Sequence, residues 1–461
     1  MSQDDISPDR MHVHNPATAR LVLDYVRDRL SLADTPLDFP GDADRLQHLL
    51  AGLIKARGND ASAVMDLYTQ ELSLAVISAD SPRFFAFIPA APTKASLLFD
   101  MVVSSASLQG ISWLEAAGAV AAENQVLRLI ADMAGFPERA GGCFVSGGSA
   151  ANLSALVVAR DTARRTKNLG DRRLRVVVSD QAHSSIQHTL RILDMSALVV
   201  PTEDHRLTGA ALEAALLADA AQGNDPANVI AVVATSGTTN AGIIDDLATV
   251  APVAKAHDLW FHVDGAYGGA GLFAPSVRHR YDGIEHADSF ILDPHKWLFA
   301  PFDCAALLYR EPGLARLVHT QDASYLDAIH DEATDWNPTD YAYHLTRRAR
   351  GMPLWFSLAV HGTDAYRDAI ERGLELARET ANVIRSTPYL ELLREPELSV
   401  VLFRRIGWAP EDYRDWCQSM LADQSAFVTP TTWEGETVGR LVFLHPQTTM
   451  DMVRGVLDRC A

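Results

Sequence analysis

Seven short apolar runs between residues 141 and 310 constrain this chain more than any other feature. They read GGCFV (141–145), LRVVVSD (174–180), ALVVP (197–201), NVIAVVAT (228–235), WFHVD (260–264), SFIL (289–292) and CAALLYR (304–310). Val and Ile recur in them without strict apolar–polar alternation, the pattern of strands buried on both faces. Helical patterns such as TGAALEAALLADAA and LATVAPVAKAHDL separate many of the runs. Strands alternating with helices predict a mainly parallel sheet with helices on both faces, an α/β fold.

The flanks differ in character. ATARLVLDYVRDRL places Leu21, Leu23, Tyr25 and Val26 near one helical face, and ADRLQHLLAGLIKA repeats the idea. SPRFFAFIPA (81–90) reads as a Pro-bounded aromatic loop, and 95–135 as helix. Residues 311–345 are polar and poor in periodicity, and a loop of that length in a compact domain is usually functional or mobile. A long helix is expected from about Met352, followed by LSVVLFRRI (398–406), a helix near 410–422, RLVFLHP (440–446) and a last helix. A chain of 461 residues is too long for one ordinary core. The expected organisation is an N-terminal helical segment over 1–80, a large α/β domain over 81–345 and a small α+β domain over 346–461.

Composition excludes several classes of partner. The net charge of −19 argues against nucleic acid and anionic membrane surfaces, which need a basic footprint. No apolar run approaches the roughly eighteen residues of a membrane span. The acidic, polar start MSQDDISPDRMHVHNPATAR lacks the pattern of a secretory signal, so the cytoplasm is the expected compartment. Cys143, Cys304, Cys417 and Cys460 are scattered without a C-x-x-C, which suggests neither a disulfide framework nor a metal site.

The chemistry-bearing residues follow the runs. Ser146-Gly147-Gly148-Ser149 lies between an apolar run and a helix, where free N–H groups and a hydroxyl make an anion cradle. The same turn also reads as a plain strand-to-helix join with Ser149 as cap. His183 in SDQAHSSIQ falls at the C-terminal edge of the sheet, where open α/β folds bind ligands, although a lone histidine there can be structural. Thr238 and Thr239 in ATSGTTNAG stand at the same edge, or act as ordinary turn caps. Asp264 ends WFHVD, and a carboxylate placed there needs a cationic or hydrogen-bonding partner, unless it caps the next helix. Gly265 and Ala266 leave space beside it for something flat.

Lys296, in FILDPHKWLFAPFDC, is one of five lysines in a chain of 35 arginines. A lysine in apolar surroundings loses its proton more readily and forms Schiff bases with aldehydes. A lysine with a packed stem and a solvated amine is the alternative. An anion cradle, an imidazole, a sunken carboxylate and a lysine together suit one ligand. Pyridoxal 5'-phosphate (PLP) has a phosphate, a flat ring, a ring nitrogen that must stay protonated and an aldehyde.

PRFFAF-P, SGGSAANL, SDQAHSS, ATSGTT, HVDGAYGG, ADSFILDPHKW with FDCAAL, and TRRARGMPLWF carry a family resemblance. Over roughly residues 80–360 the chain resembles the group II PLP-dependent amino-acid decarboxylases, of PLP-dependent transferase fold type I. That family includes aromatic L-amino-acid and glutamate decarboxylases.

The resemblance implies that Lys296 holds PLP as a Schiff base and that Asp264 partners the pyridine nitrogen. Ala266 and His183 flank the ring; Gly148, Ser149 and Asp293 match phosphate-site positions; Thr239 and His295 lie near the cofactor. Asp293 stands where animal aromatic enzymes usually carry Asn, and it puts a negative charge beside a dianion. The resemblance further implies a homodimer, an L-amino-acid substrate, and release of the amine and CO2 with a loop tyrosine returning the proton. Tyr341 is the expected tyrosine, with Tyr325 and Tyr343 as alternatives. Ala90, Ile111 and SWLEAAGAVAAE depart from the aromatic enzymes' pocket, so an aromatic substrate is favoured while acidic and diamino acids stay open. Oxidative decarboxylation–deamination to an aldehyde, another PLP lyase or aminotransferase, and a non-catalytic PLP-binding paralogue are the other readings.

Overall fold

The computed structural model describes residues 10–89, 91–322, 324 and 336–461. Ala90 and Tyr325 lie outside the described residues.

The seven apolar runs form one sheet: β1 (Gly141–Val145), β2 (Arg175–Ser179), β3 (Ser196–Val200), β4 (Val229–Thr235), β5 (Trp260–Asp264), β6 (Ser289–Leu292) and β7 (Ala305–Tyr309). Their spatial order is β1-β7-β6-β5-β4-β2-β3. Neighbours from β6 through β3 run parallel, whereas β7 is antiparallel to both β6 and β1. Two reversals restore direction, so β1 points the same way as β2, β4, β5 and β6. All five therefore end at one edge of the sheet.

The unbroken apolar runs have a physical reason. Val176 and Val178 pack with Ala155, Ile186 and Leu190 on one face, while Val177 packs with Val232, Val250 and Leu354 on the other. Both faces are covered, so each strand position meets apolar neighbours, as parallel sheets require. Only β3, at the open edge, is mostly partly exposed.

A second sheet of four antiparallel strands follows the long helix Met352–Ser386. It comprises β8 (Leu390–Leu392), β9 (Val400–Arg405), β10 (Thr431–Trp433) and β11 (Glu436–Val442), in the order β10-β11-β9-β8. Val401, Phe403, Leu441 and Phe443 form its core with Trp416, Val453 and Leu457 from the helices Pro410–Ala422 and Met450–Asp458. The long helix is interrupted at Gly362, whose φ of 76° and ψ of 161° leave the helical region. The aromatic loop before residue 90 joins the two parts: Phe85 sits in the small core, and Phe84 pairs with Phe427.

At the N-terminus the helix Pro16–Ser31 starts as its sequence dictates. Asn15 caps it by accepting the Ala17 and Thr18 N–H groups, and Pro16 occupies the first turn. Yet no residue of this helix is buried, and Leu23 is 55% exposed. The face that pattern reading assigned to packing is only partly covered: Tyr25 meets Tyr68 edge-on at 5.3 Å, while Leu23 stays exposed.

Candidate active site

The shared edge of β1, β2, β4, β5 and β6 opens into a cavity of about 760 Å³. Gly148, Ser149, His183, Thr239, Asp264, Ala266, Asp293, His295 and Lys296 all line it. Each lies on or just after the end of a strand, the location at which doubly wound sheets hold ligands. Tyr341 does not line it. That side chain is buried, with its ring stacked on Trp336 at 4.3 Å, and burial pushes its hydroxyl well above the ordinary tyrosine range. Tyr343, two residues on, is half exposed and lines the cavity. Ile111 is buried and is not among the lining residues.

The floor of the cavity is the start of the helix Gly148–Lys167. Gly147 precedes it and offers no side-chain cap, so the first-turn N–H groups face the cavity with the positive end of the helix dipole. A Cβ at Gly148 would lie 3.0 Å from Asp293 Oδ2 and 3.2 Å from Ala266 Cβ. The cradle exists because that atom is missing. Gly265 works differently from expectation: a Cβ there would strike Phe290 at 2.5 Å and the Ser236 hydroxyl at 2.7 Å. It closes the packing behind the strand, and Ala266 alone faces the cavity.

Lys296 sits on the short helix Pro294–Trp297, begun by Pro294. Its Nζ lies 3.0 Å from Asp293 Oδ2. The same oxygen accepts the Gly148 N–H at 3.3 Å, and Asp293 Oδ1 is buried without a hydrogen-bond partner. His295 is fixed by its backbone surroundings: its N–H donates to the Cys304 carbonyl at 3.2 Å, and its Nδ1 accepts the Cys304 N–H at 3.0 Å. Burial lowers the His295 pKa against the opposing pull of Asp293, so Nε2 keeps the proton and faces Asp293 at 3.7 Å.

Asp264 is 5% exposed and both its oxygens are bound. Oδ1 accepts the Ala266 N–H at 3.1 Å, and Oδ2 accepts the Asn152 side-chain amide at 3.0 Å. Two hydrogen bonds to the charged form are the condition for burying a carboxylate. His183 caps the helix Ser184–Ile192, its Nδ1 accepting from the Ser185 N–H at 3.2 Å and meeting the Ser185 hydroxyl at 2.9 Å. Arg440 supports the opposite rim: its guanidinium donates to the Thr239 carbonyl at 2.6 Å and the Asn240 carbonyl at 3.1 Å. Burial lowers its pKa to about 10.

Asn152, Ser185, His262 and Arg440 were not singled out by sequence reasoning. A signal existed for two of them. Strand periodicity puts His262 on the same face as Asp264, and helical spacing puts Asn152 one turn beyond Gly148.

The residues present fit PLP: a helix start without a cap from its own Gly147 and shaped by a missing Cβ, a buried carboxylate, a small residue and a lysine share one cavity. The sequence matches the model of the pyridoxal-dependent decarboxylase conserved domain over residues 44–406. It is 29% identical over 443 residues to an aromatic-L-amino-acid decarboxylase of Bacillus atrophaeus, covering 94% of this chain and 90% of that one. It is 33% identical over 384 residues to an L-2,4-diaminobutyrate decarboxylase of Rhizobium meliloti (strain 1021), covering 80% and 75%. The crystal structure of Oryza sativa TDC with PLP and tryptamine superposes with a TM-score of 0.89 at 25% identity, covering 99% of this chain and 97% of that one. The fold and the cavity define a PLP-dependent enzyme of fold type I, and the chain belongs to the pyridoxal-dependent decarboxylase family. Its activity is that of a PLP-dependent amino-acid decarboxylase.

Proposed function

We propose that the enzyme decarboxylates an aromatic L-amino acid to its amine and CO2, with Lys296 carrying the cofactor. The observation that supports this most is the placing of Lys296, Asp264 and the open helix start around one cavity. Bound PLP supplies an electron sink for the pair left on Cα when CO2 departs.

The chain's residues supply the rest. Lys296 Nζ, which lines the cavity, would hold the cofactor through its aldehyde. Asp264 would face the ring nitrogen, its two oxygens oriented by the Ala266 N–H and the Asn152 amide. Ala266 and His183 flank the ring. Gly148 and Ser149 present the helix start to the phosphate. Thr239 and His295 would border the cofactor, and Asp293, paired with Lys296, would lie near its phosphate. Tyr343, which lines the cavity where Tyr341 does not, returns a proton to Cα.

Aromatic substrates are favoured by the Bacillus relative and by the tryptamine-bound Oryza structure; the diaminobutyrate enzyme marks the competing class. The working unit is a homodimer. Supporting this are the exposed Leu23, Leu98, Val102 and Leu114, which a second copy would cover. The domain division at 80 and 345 and a cytoplasmic location complete the reading. All four cysteines are free thiols, and no helix among the described residues is long and apolar enough to cross a membrane.

The test is a panel of L-amino acids offered to the PLP-saturated enzyme, with CO2, amine, aldehyde and oxygen uptake quantified. Equal CO2 and amine, fastest with aromatic substrates, is the expected result. Absence of CO2 from every substrate, with PLP bound, would overturn the decarboxylase reading. Aldehyde formed with oxygen uptake would replace it with the oxidative one.

A further inference from the structure

Behind Asp264 a line of hydrogen bonds runs into the sheet, and its proton order can be deduced from its two ends. At the far end Trp260 Nε1, which can only donate, gives its proton to Ser289 Oγ at 2.8 Å. The Ser289 hydroxyl then donates to His262 Nδ1 at 2.8 Å, which leaves the imidazole proton on Nε2. His262 Nε2 donates to Asn152 Oδ1 at 2.8 Å. The amide nitrogen of Asn152 donates one proton to Asp264 Oδ2 at 3.0 Å and the other to Ser185 Oγ at 3.1 Å. Ser185 passes its own proton to His183 Nδ1 at 2.9 Å.

Every step has a donor facing an acceptor. Turning the Asn152 amide over would set its oxygen against the Asp264 carboxylate. It would also force the His262 proton onto Nδ1, leaving Ser289 with two incoming donors and no acceptor for its hydroxyl. The network is closed to water: Asn152 is 1% exposed, and His262 and Ser289 are 0% exposed. Burial lowers the His262 pKa to about 4, which keeps the ring neutral with one donor and one acceptor.

We propose that Asn152 is a positioning residue of the active site, oriented by His262. Through its single amide it fixes the Asp264 carboxylate as a hydrogen-bond acceptor and ties it, through Ser185, to the orientation of His183. Asp264 and His183, which line the cavity where the ring would sit, are thereby set by one buried amide in the wall beside them. A networked amide of this kind acts by its polarity and not only by its volume. The inference rests on the reading that Asp264 faces the cofactor's ring nitrogen.

The experiment compares Asn152→Leu, Asn152→Asp, His262→Leu and His262→Gln with Asp264→Asn as the reference. For each, the PLP dissociation constant, the visible spectrum of the lysine-bound cofactor, kcat and KM are measured, with melting temperatures to confirm folding. Both Asn152 variants are expected to lower kcat about tenfold to a hundredfold, the worth of a hydrogen bond to a charged group. They should also weaken PLP binding and alter the visible band, with KM little changed. Asn152→Asp has nearly the native shape, so its loss reports polarity. His262→Gln, which keeps a donor near the Nε2 position, should recover most of what His262→Leu loses. If Asn152→Leu does not fold, the His262 pair carries the test. Folded Asn152→Leu and His262→Leu with native PLP affinity, spectrum and kcat, beside an impaired Asp264→Asn, would overturn the proposal alone. Equal losses in both His262 variants would do the same, because only packing would then be at stake. A native-like Asp264→Asn would remove the assignment of Asp264 first, and this inference with it.

Discussion

Lys296 Nζ and Asp293 Oδ2 form an ion pair at 3.0 Å, and the same oxygen takes the Gly148 N–H at 3.3 Å. The carboxylate thus occupies a donor that a phosphate would use, and it is 3% exposed, where charges interact strongly. Its second oxygen has no hydrogen-bond partner. Asp293→Asn keeps the shape and the acceptor and removes the charge. PLP should bind the variant about tenfold more tightly, an effect of one modest charge–charge term. Equilibrium dialysis of apoenzyme checks it; unchanged or weaker binding would mean that Asp293 does not oppose the phosphate.

Tyr341 and Tyr343 separate cleanly by environment. Tyr341 stacks on Trp336 away from the cavity, and Tyr343 lines it. Tyr343→Phe should lower amine formation about a hundredfold, within the usual worth of a positioned proton donor, and raise the share of aldehyde. Tyr341→Phe should keep the stack and the product ratio. Chromatography of products from both variants decides, and the reverse pattern would restore Tyr341.

Acid sensitivity follows from buried histidines. Burial lowers the pKa values of His262, His344 and His445 to about 4. The unfolded chain takes up these protons near pH 6.5, so it gains more of them than the folded chain between about pH 6.5 and 4. Stability is therefore fully present above that window and is lost as pH falls through it. The slope is about 1.4 kcal/mol per pH unit for each histidine. His445→Gln, remote from the cofactor residues, should flatten the fall in melting temperature across the window without altering its shape above pH 7. A slope as steep as that of the native protein would contradict this.

Much of the fold was legible because a sheet covered on both faces writes itself as uninterrupted Val and Ile runs. All seven strands lie where those runs lie, and the candidate cofactor residues follow them at one edge. The short strands β8 and β10 were not anticipated, since three residues carry too little pattern. The choice between Tyr341 and Tyr343 was illegible for a related reason. Residues 338–341 form a single 3₁₀ turn, and irregular backbone sets no period from which a facing side chain can be counted. The Asn152–His262 contact joins residues 110 apart and exists only once helix and sheet are packed. The helix Pro16–Ser31 shows the converse: amphipathic pattern marks a packing face, of which Tyr25 meets Tyr68, without saying how deeply that face is buried.

The central claim is that Lys296 carries the cofactor, and it can be read on the protein directly. The PLP-loaded enzyme is reduced with borohydride, digested and mapped by mass spectrometry. With only five lysines in the chain, each peptide can be assigned without ambiguity. The account predicts one pyridoxyl adduct per chain, on the peptide containing Lys296, and its absence together with the visible absorbance band in Lys296→Ala. An adduct on Lys55, Lys94, Lys167 or Lys255, or an unchanged visible band in that variant, would contradict it.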